Sequence, residues 1–403
     1  MASPLVYLDY NATTPIAPEV LSALLPYLQQ SYGNASSSYA LGQQAKQAVD
    51  QARQQIAMML EADATSEILL LSGGTESINY AIKGSASTEE KQTERKHIIT
   101  TQVEHVAVLE TCRFLEKERG YDVTYLPVDE HGRVSAEQVV AALKPSTFLI
   151  SIMLANNEVG TLQPIAEISQ SVKKHVAMHN SEFARILIHT DASQAIGKVK
   201  VSVKELGVDF LTIAGHKLYA PKGIGALYMR ADAPRPAVLI HGASHEQGRR
   251  AGTENVAFDV ALGKACAMVH ENLNEYEQSM KAAKAFLLGA IQGELIGTGV
   301  EFRVNGHPRE VLPNTLSISF KNLSAVKLLN FIEKRGVCAS AGSACHSHAG
   351  EGDDVRISSV LEAMHVPRYF ALGTLRLSVG RSTSHDDLRI AAKAIADGVR
   401  EQM

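Results

Sequence analysis

Short runs that are apolar at nearly every position punctuate the chain, at residues 67–71, 97–101, 123–126, 148–154, 185–189, 209–213 and 225–229. Segments with helical apolar spacing separate them, at residues 75–83, 104–118, 135–143 and 165–179. A strand apolar on both faces has no side to present to water. The alternation therefore predicts an α/β fold whose mainly parallel sheet is covered by helices on both faces. Two further helices, 17–27 and 41–60, precede the sheet, after a short extended arm that ends in TTP.

Ligands of such sheets collect at the carboxyl ends of the strands, and unusual residues gather there. Ser72-Gly73-Gly74-Thr75 follows a strand and opens a helix, where free amides can hold a phosphate. Glu104-His105 follows the next strand and Asn156-Asn157-Glu158 a later one. Asp191 and Gln194 lie just past the strand 185–189, and His216-Lys217 just past 209–213. An acid and an amine at neighbouring strand ends suit a pyridine-ring cofactor held as a Schiff base on the amine.

Near residues 249–253 the rhythm changes. A long helical stretch, 255–296, leads to a strand at 316–320, a helix at 325–334, a loop with Cys345, a strand at 375–378 and a last helix from Asp386. This pattern predicts an arm over residues 1–15 packing with a smaller domain, a large ligand-binding domain over 16–255, and a smaller α+β domain over 256–403 that carries the Cys345 loop.

Bulk properties exclude some functions. A net charge of −4 without long basic runs gives no electrostatic case for nucleic acid. No apolar run approaches the ~20 residues of a membrane span. The amino end has no targeting character, so a cytoplasmic setting is expected. Four cysteines in 403 residues make no disulfide framework. Cys112, Cys266 and Cys338 read as core, whereas Cys345 lies in a loop of small residues, SAGSACHSHAGEGDD. Cys345 with His346 and His348 is poor spacing for zinc, so no metal is expected.

Each candidate has a plainer reading. Asp191 can be a helix cap, Lys217 a solvated charge, His105 a structural histidine and Cys345 an incidental thiol. Arg376, inside an alternating strand, calls for a partner: a substrate carboxylate gripped by two donors, or an internal ion pair. A dehydrogenase is excluded, because no G-x-G-x-x-G follows the first strand.

The blocks LDYNATTP, SGGTES, VEH, ANNEVG, HTDASQAIGK, GHKLYAPKGIGALY, GRRAGTEN, GSACHS and LRLSVGRST, in that order, resemble the class V aminotransferases, which are pyridoxal-phosphate enzymes. Within that group they are similar to the cysteine desulfurase and selenocysteine lyase branch. The resemblance implies a fold-type I homodimer with its active site shared between subunits. It makes Lys217 the Schiff-base lysine, Asp191 the partner of the pyridine nitrogen, Gln194 a donor to the ring oxygen and His105 the stacking residue. Gly74, Thr75 and His216 would hold the phosphate, with Thr253 reaching in from the partner chain. Asn157 and Arg376 would bind the substrate carboxylate, and Cys345 would be the nucleophile.

The activity implied is removal of selenium or sulfur from L-selenocysteine or L-cysteine to give L-alanine. A Cys345 persulfide would serve the sulfur reaction, with a sulfur or selenium acceptor protein beyond it. A dedicated desulfurase for iron–sulfur clusters or tRNA thiolation, a plain aminotransferase and a non-catalytic carrier scaffold are the alternatives. Two blocks depart from the desulfurase pattern. Ala214 stands where a phosphate-binding serine is usual, and HGASHEQG (residues 241–248) lacks two glycines and an arginine. With IMLANNE, ACHSHAG and LRLSVGRST, Ala214 makes the chain locally more similar to selenocysteine lyase.

Overall fold

The apolar runs between residues 67 and 229 all join one seven-stranded sheet. The computed structural model describes residues 5–180, 182–342 and 357–403. In chain order the strands are β1 (Val6–Tyr7), β2 (Ile68–Leu71), β3 (His97–Thr101), β4 (Asp122–Leu126), β5 (Thr147–Ser151) and β6 (Leu187–Asp191). They continue with β7 (Phe210–Ala214), β8 (Gly225–Met229), β9 (Phe302–Asn305), β10 (Thr315–Phe320), β11 (Val337–Cys338) and β12 (Thr374–Ser378).

The large sheet runs β2-β8-β7-β6-β5-β3-β4. Pairing is parallel from β7 through β4, and β8 is antiparallel to both of its neighbours. Every residue of β3, β5, β6 and β7 is buried, as two covered faces require. Each fully buried Ile, Leu or Phe there contributes about 1.5–3 kcal/mol. Separate apolar clusters fill the two faces, one around Ile99, Ile150, Ile188 and Ile213, the other around Leu69, Phe148, Leu149 and Phe210.

A smaller antiparallel sheet, β12-β10-β9, carries its own core of Leu316, Ile318, Phe320, Leu375 and Leu377. The helix Val256–Glu294 joins the two bodies. Its first half puts Leu262, Ala265 and Cys266 into the large core, and its second half puts Met280, Leu287 and Ile291 into the small one. The arm is stitched to the smaller body, since β1 pairs parallel with β11 in a two-stranded sheet of their own and Asp9 bridges to Ser378 of β12.

The sequence reading differs from the structure mainly at element ends. Strand 185–189 lies two residues late, because pairing with β7 extends to Asp191 opposite Thr212, and Arg185 instead joins Asp209 in an ion pair. Asp191 is thus the last residue of the strand instead of lying just past it. The helix expected from residue 104 begins at Val106, because His105 caps it. The helix expected over 75–83 opens at Gly74, passes through a π turn at Tyr80–Gly84 and runs on as Ser85–Gln92. β1, β9 and β11 had no signal: two are two residues long, and β9 has only one buried residue.

Candidate active site

The carboxyl ends of β2, β3, β6 and β7 form one edge of the sheet. At the end of β6 the buried Asp191 carboxylate accepts the amide of Ser193 at 2.9 Å, which fixes its direction. At the end of β7, Ala214 leads into the tight turn Gly215–Lys217. There the Lys217 amine donates to the carbonyls of Asn11 and Ala12 at 2.6 and 2.7 Å. Adjacent parallel strands therefore present the acid and the amine, as their placement in the sequence led us to expect.

After β3, Glu104 is buried, and both its oxygens receive the Met153 amide, at 3.0 and 3.1 Å. Burial, with the charge of Asp191 adding to it, pushes its carboxyl up to about 8. His105 accepts the Ala107 amide on Nδ1 at 3.1 Å. That bond assigns the proton of a neutral ring to Nε2, which is left for the site. Burial also lowers the proton affinity of His105, with Lys217 acting in the same sense and Asp191 against it.

After β2, Gly73 has φ +153°, and a Cβ built on it would meet none of the described residues within 4 Å, so among them the space above the first amides of the following helix is open. A Cβ on Gly225 would stand 2.7 Å from the Gly73 Cα and 2.5 Å from the Ile213 carbonyl, so glycine at 225 sets the floor of this cradle. Behind the cradle, Glu76 accepts the Ser72 amide at 2.7 Å and Arg250 at 3.0 Å. The carboxyl of Glu76 lies below its ordinary value even though burial opposes that shift.

His216 directs Nδ1 to the Thr13 hydroxyl at 3.2 Å, and burial beside Lys217 pushes it down to about 4. Gln194 donates from Nε2 to the Asn11 carbonyl at 3.0 Å. Asn157 borders, with Glu104 and His105, a cavity of about 700 Å³. Thr253 is exposed in the single chain. Arg376 is buried and takes the internal partner: it pairs with Asp9 at 2.7 Å and donates to the Asn157 carbonyl at 3.1 Å. Among the described residues, its buried Nε has no hydrogen-bond partner. Cys345, His346 and His348 lie outside the described residues. Cys112 and Cys266 are fully buried, whereas Cys338 is only partly so. Glu158 accepts from Ser358, and a Cβ on Gly342 would lie 2.8 Å from it. The two flanks of the undescribed segment thus meet at one carboxylate that borders the same cavity.

Sequence reasoning overlooked three residues. Asn11 bonds to both bodies, to Asn157 and Lys198 in one and to Asn314 and Thr315 in the other. Ser193 brings its Oγ to 3.3 Å from where a Gly74 Cβ would lie, beside the Ala214 Cβ at 3.1 Å. Lys198 is buried against Gln194. The i, i+4 spacing of Gln194 and Lys198 was the readable signal; the other two needed the fold. The altered block at 241–248 is structural, since its Glu246 forms a buried ion pair with Arg53 at 2.7 Å and accepts the Leu70 amide at 3.0 Å.

The profile of the aminotransferase class-V family matches residues 6–390. The chain belongs to the class-V aminotransferase family. Among class-V relatives, the cysteine desulfurase IscS of Methanosarcina thermophila is 41% identical over 396 residues, 98% of this chain and 92% of the relative. A solved NifS-like protein has a TM-score of 0.87 at 35% identity, covering 98% of this chain and 99% of its own. SspA, solved in complex with cysteine, has a TM-score of 0.77 at 35% identity, covering 94% and 99%. Class-V aminotransferases use pyridoxal 5′-phosphate, and the residues present fit that group. Among the described residues the glycine cradle is open, and the acid and the amine stand at the ends of adjacent strands.

Proposed function

We propose that this class-V chain removes sulfur from L-cysteine, giving L-alanine and a persulfide on Cys345. The observation that carries this reading is the pairing of Asp191 and Lys217 at the ends of β6 and β7, beside His105, in a chain whose relatives are named cysteine desulfurases. Asp191 would hold the pyridine nitrogen and Gln194 the ring oxygen, and His105 would lie on the ring. Gly74, Thr75 and His216 would hold the phosphate, with Ser193 as a further hydroxyl beside Ala214 and Thr253 supplied by a second copy. When bound, the cofactor supplies an electron sink that loosens the substrate's α-proton and its bond to sulfur.

The chain's own groups do the rest. Lys217 leaves the Asn11 and Ala12 carbonyls and moves the α-proton. Asn157 and Arg376 take the substrate carboxylate, the latter through its Nε, which has no partner among the described residues. The Cys345 thiolate forms a bond to the substrate sulfur while the carbon–sulfur bond breaks. That bond's electron pair stays with the carbon fragment, which takes a proton to become alanine. A reducing cytoplasm would keep the thiol available, and an acceptor protein would take the persulfide sulfur onward. The helix Pro18–Gln29 leaves Leu21, Leu25 and Leu28 exposed, beside Tyr32 and Tyr39, which supports a homodimer.

The test is alanine release from L-cysteine and L-selenocysteine, measured side by side on purified protein with and without Cys345→Ala. Alanine from cysteine that depends on Cys345 supports the reading, whereas keto acid in place of alanine makes the protein a transaminase. A second reading, preference for selenium, draws on the buried apolar Ala214. It predicts full activity of Cys345→Ala on selenocysteine and loss on cysteine alone.

A further inference from the structure

Lys198 is buried, and its amine meets two neutral acceptors, Gln194 Oε1 at 2.6 Å and Asn11 Oδ1 at 3.1 Å. No carboxylate pairs with it among the described residues. A helical turn, closed by Ile196 N to Ala192 O and Val199 N to Ala195 O, puts Gln194 and Lys198 four residues apart on one face. The two neighbours of the Gln194 amide impose one orientation. The Asn11 carbonyl can only accept, so it faces Nε2 at 3.0 Å, and the Lys198 amine donates, so it faces Oε1. The amide nitrogen has two hydrogens, and the Asn11 carbonyl takes one.

We propose that Lys198 is a positioning residue for the cofactor, holding the Gln194 amide with its oxygen turned inward so that the second N–H donates to the pyridoxal ring oxygen. This rests on the cofactor reading above. Burial, with the charges of Lys217 and Arg376, drives the Lys198 amine well below the usual lysine range. An uncharged amine still has hydrogens for both of its acceptors, so the arrangement holds in either state. Facing the group are Lys217 and the Arg376–Asp9 pair, with Asp191 and His105 across the site.

Without Lys198 only the Asn11 carbonyl orders the Gln194 amide, and its oxygen can turn toward the ring oxygen, where two acceptors repel. A ring oxygen deprived of its donor holds negative charge less well, so the proton shared between it and the lysine-bound nitrogen is held more tightly. Loss of any positive charge at residue 198 acts in the same direction.

The test titrates the visible absorbance of the pyridoxal-phosphate-loaded protein against pH. Lys198→Met is expected to raise the midpoint by about one pH unit, a tenfold change in proton affinity. Gln194→Leu is expected to raise it as well, and the double variant to go no higher than Gln194→Leu alone. Lys198→Gln keeps a neutral donor in the same space and guards against loss of the fold; a smaller shift of the same sign is expected. No shift in either Lys198 variant, or shifts that add in full in the double variant, overturns the proposal. So does a fall in the melting temperature of the cofactor-free protein with an unmoved midpoint. Wild-type protein that binds no pyridoxal phosphate overturns the cofactor reading instead.

Discussion

The Lys217 amine sits between two backbone carbonyls of the arm, and reaction there means exchanging those bonds for a ligand. Lys217→Ala is expected to lower alanine release by about three orders of magnitude, a loss typical of a missing general base, and to abolish the cofactor's visible band. Ser193→Ala tests the cradle. Losing one hydrogen bond to a charged phosphate costs about 1.5–3 kcal/mol, so pyridoxal-phosphate affinity read by equilibrium dialysis should fall about ten- to a hundredfold. The placement of Asp191, Lys217 and His105 at strand ends was legible in the sequence because strands reveal themselves by apolar runs. The partner in the Arg376 ion pair was not, because Asp9 is 367 positions away and only the fold brings it near. Ser193 escaped notice for a similar reason: its neighbour Gly74 belongs to another strand's end.

Strands and helices were read well where both faces are buried, as in β3 and β8, whose limits coincide with the apolar runs. They were read poorly where pairing, not hydrophobicity, defines the element. β1 and β11 exist only because they pair with each other, and β6 ends where its bonds to β7 end. The close approach of β8 to the cradle is a further feature of this kind. Gly225→Ala would place a methyl group 2.5 Å from the Ile213 carbonyl and 2.7 Å from the Gly73 Cα. Overpacking of this sort costs about 1–3 kcal/mol, so the denaturant midpoint should fall and cofactor affinity with it. In the long helix, Leu287 is fully buried in the small core, and Leu287→Ala should cost about 2–5 kcal/mol by the same measurement.

Across the whole molecule, buried ionisable groups set the response to pH. His97, His189 and His216 are each held near 4, below their ordinary 6.5, chiefly by burial. They are neutral when folded, and unfolding lets them take up protons, so stability is complete above 6.5 and is lost as pH falls toward 4. Glu104 and Asp259 are raised to about 8, again chiefly by burial, and work in the opposite sense: unfolding releases their protons, so stability falls as pH rises toward 8. The melting temperature of the cofactor-free protein should therefore peak near pH ~6.5, and Glu104→Gln should flatten the decline on the alkaline side. A peak well below pH ~5 would show that these groups do not govern it.

The helix Val256–Glu294 gives the two bodies a common fate. At 39 residues it is a rod of about 58 Å, and each core holds one half of it, so neither core can dissolve without exposing apolar surface on an element that the other needs. Heat should meet a single cooperative unit in the isolated chain. A scanning calorimeter would then record one peak whose van't Hoff and calorimetric enthalpies agree, where two loosely tethered domains would give two.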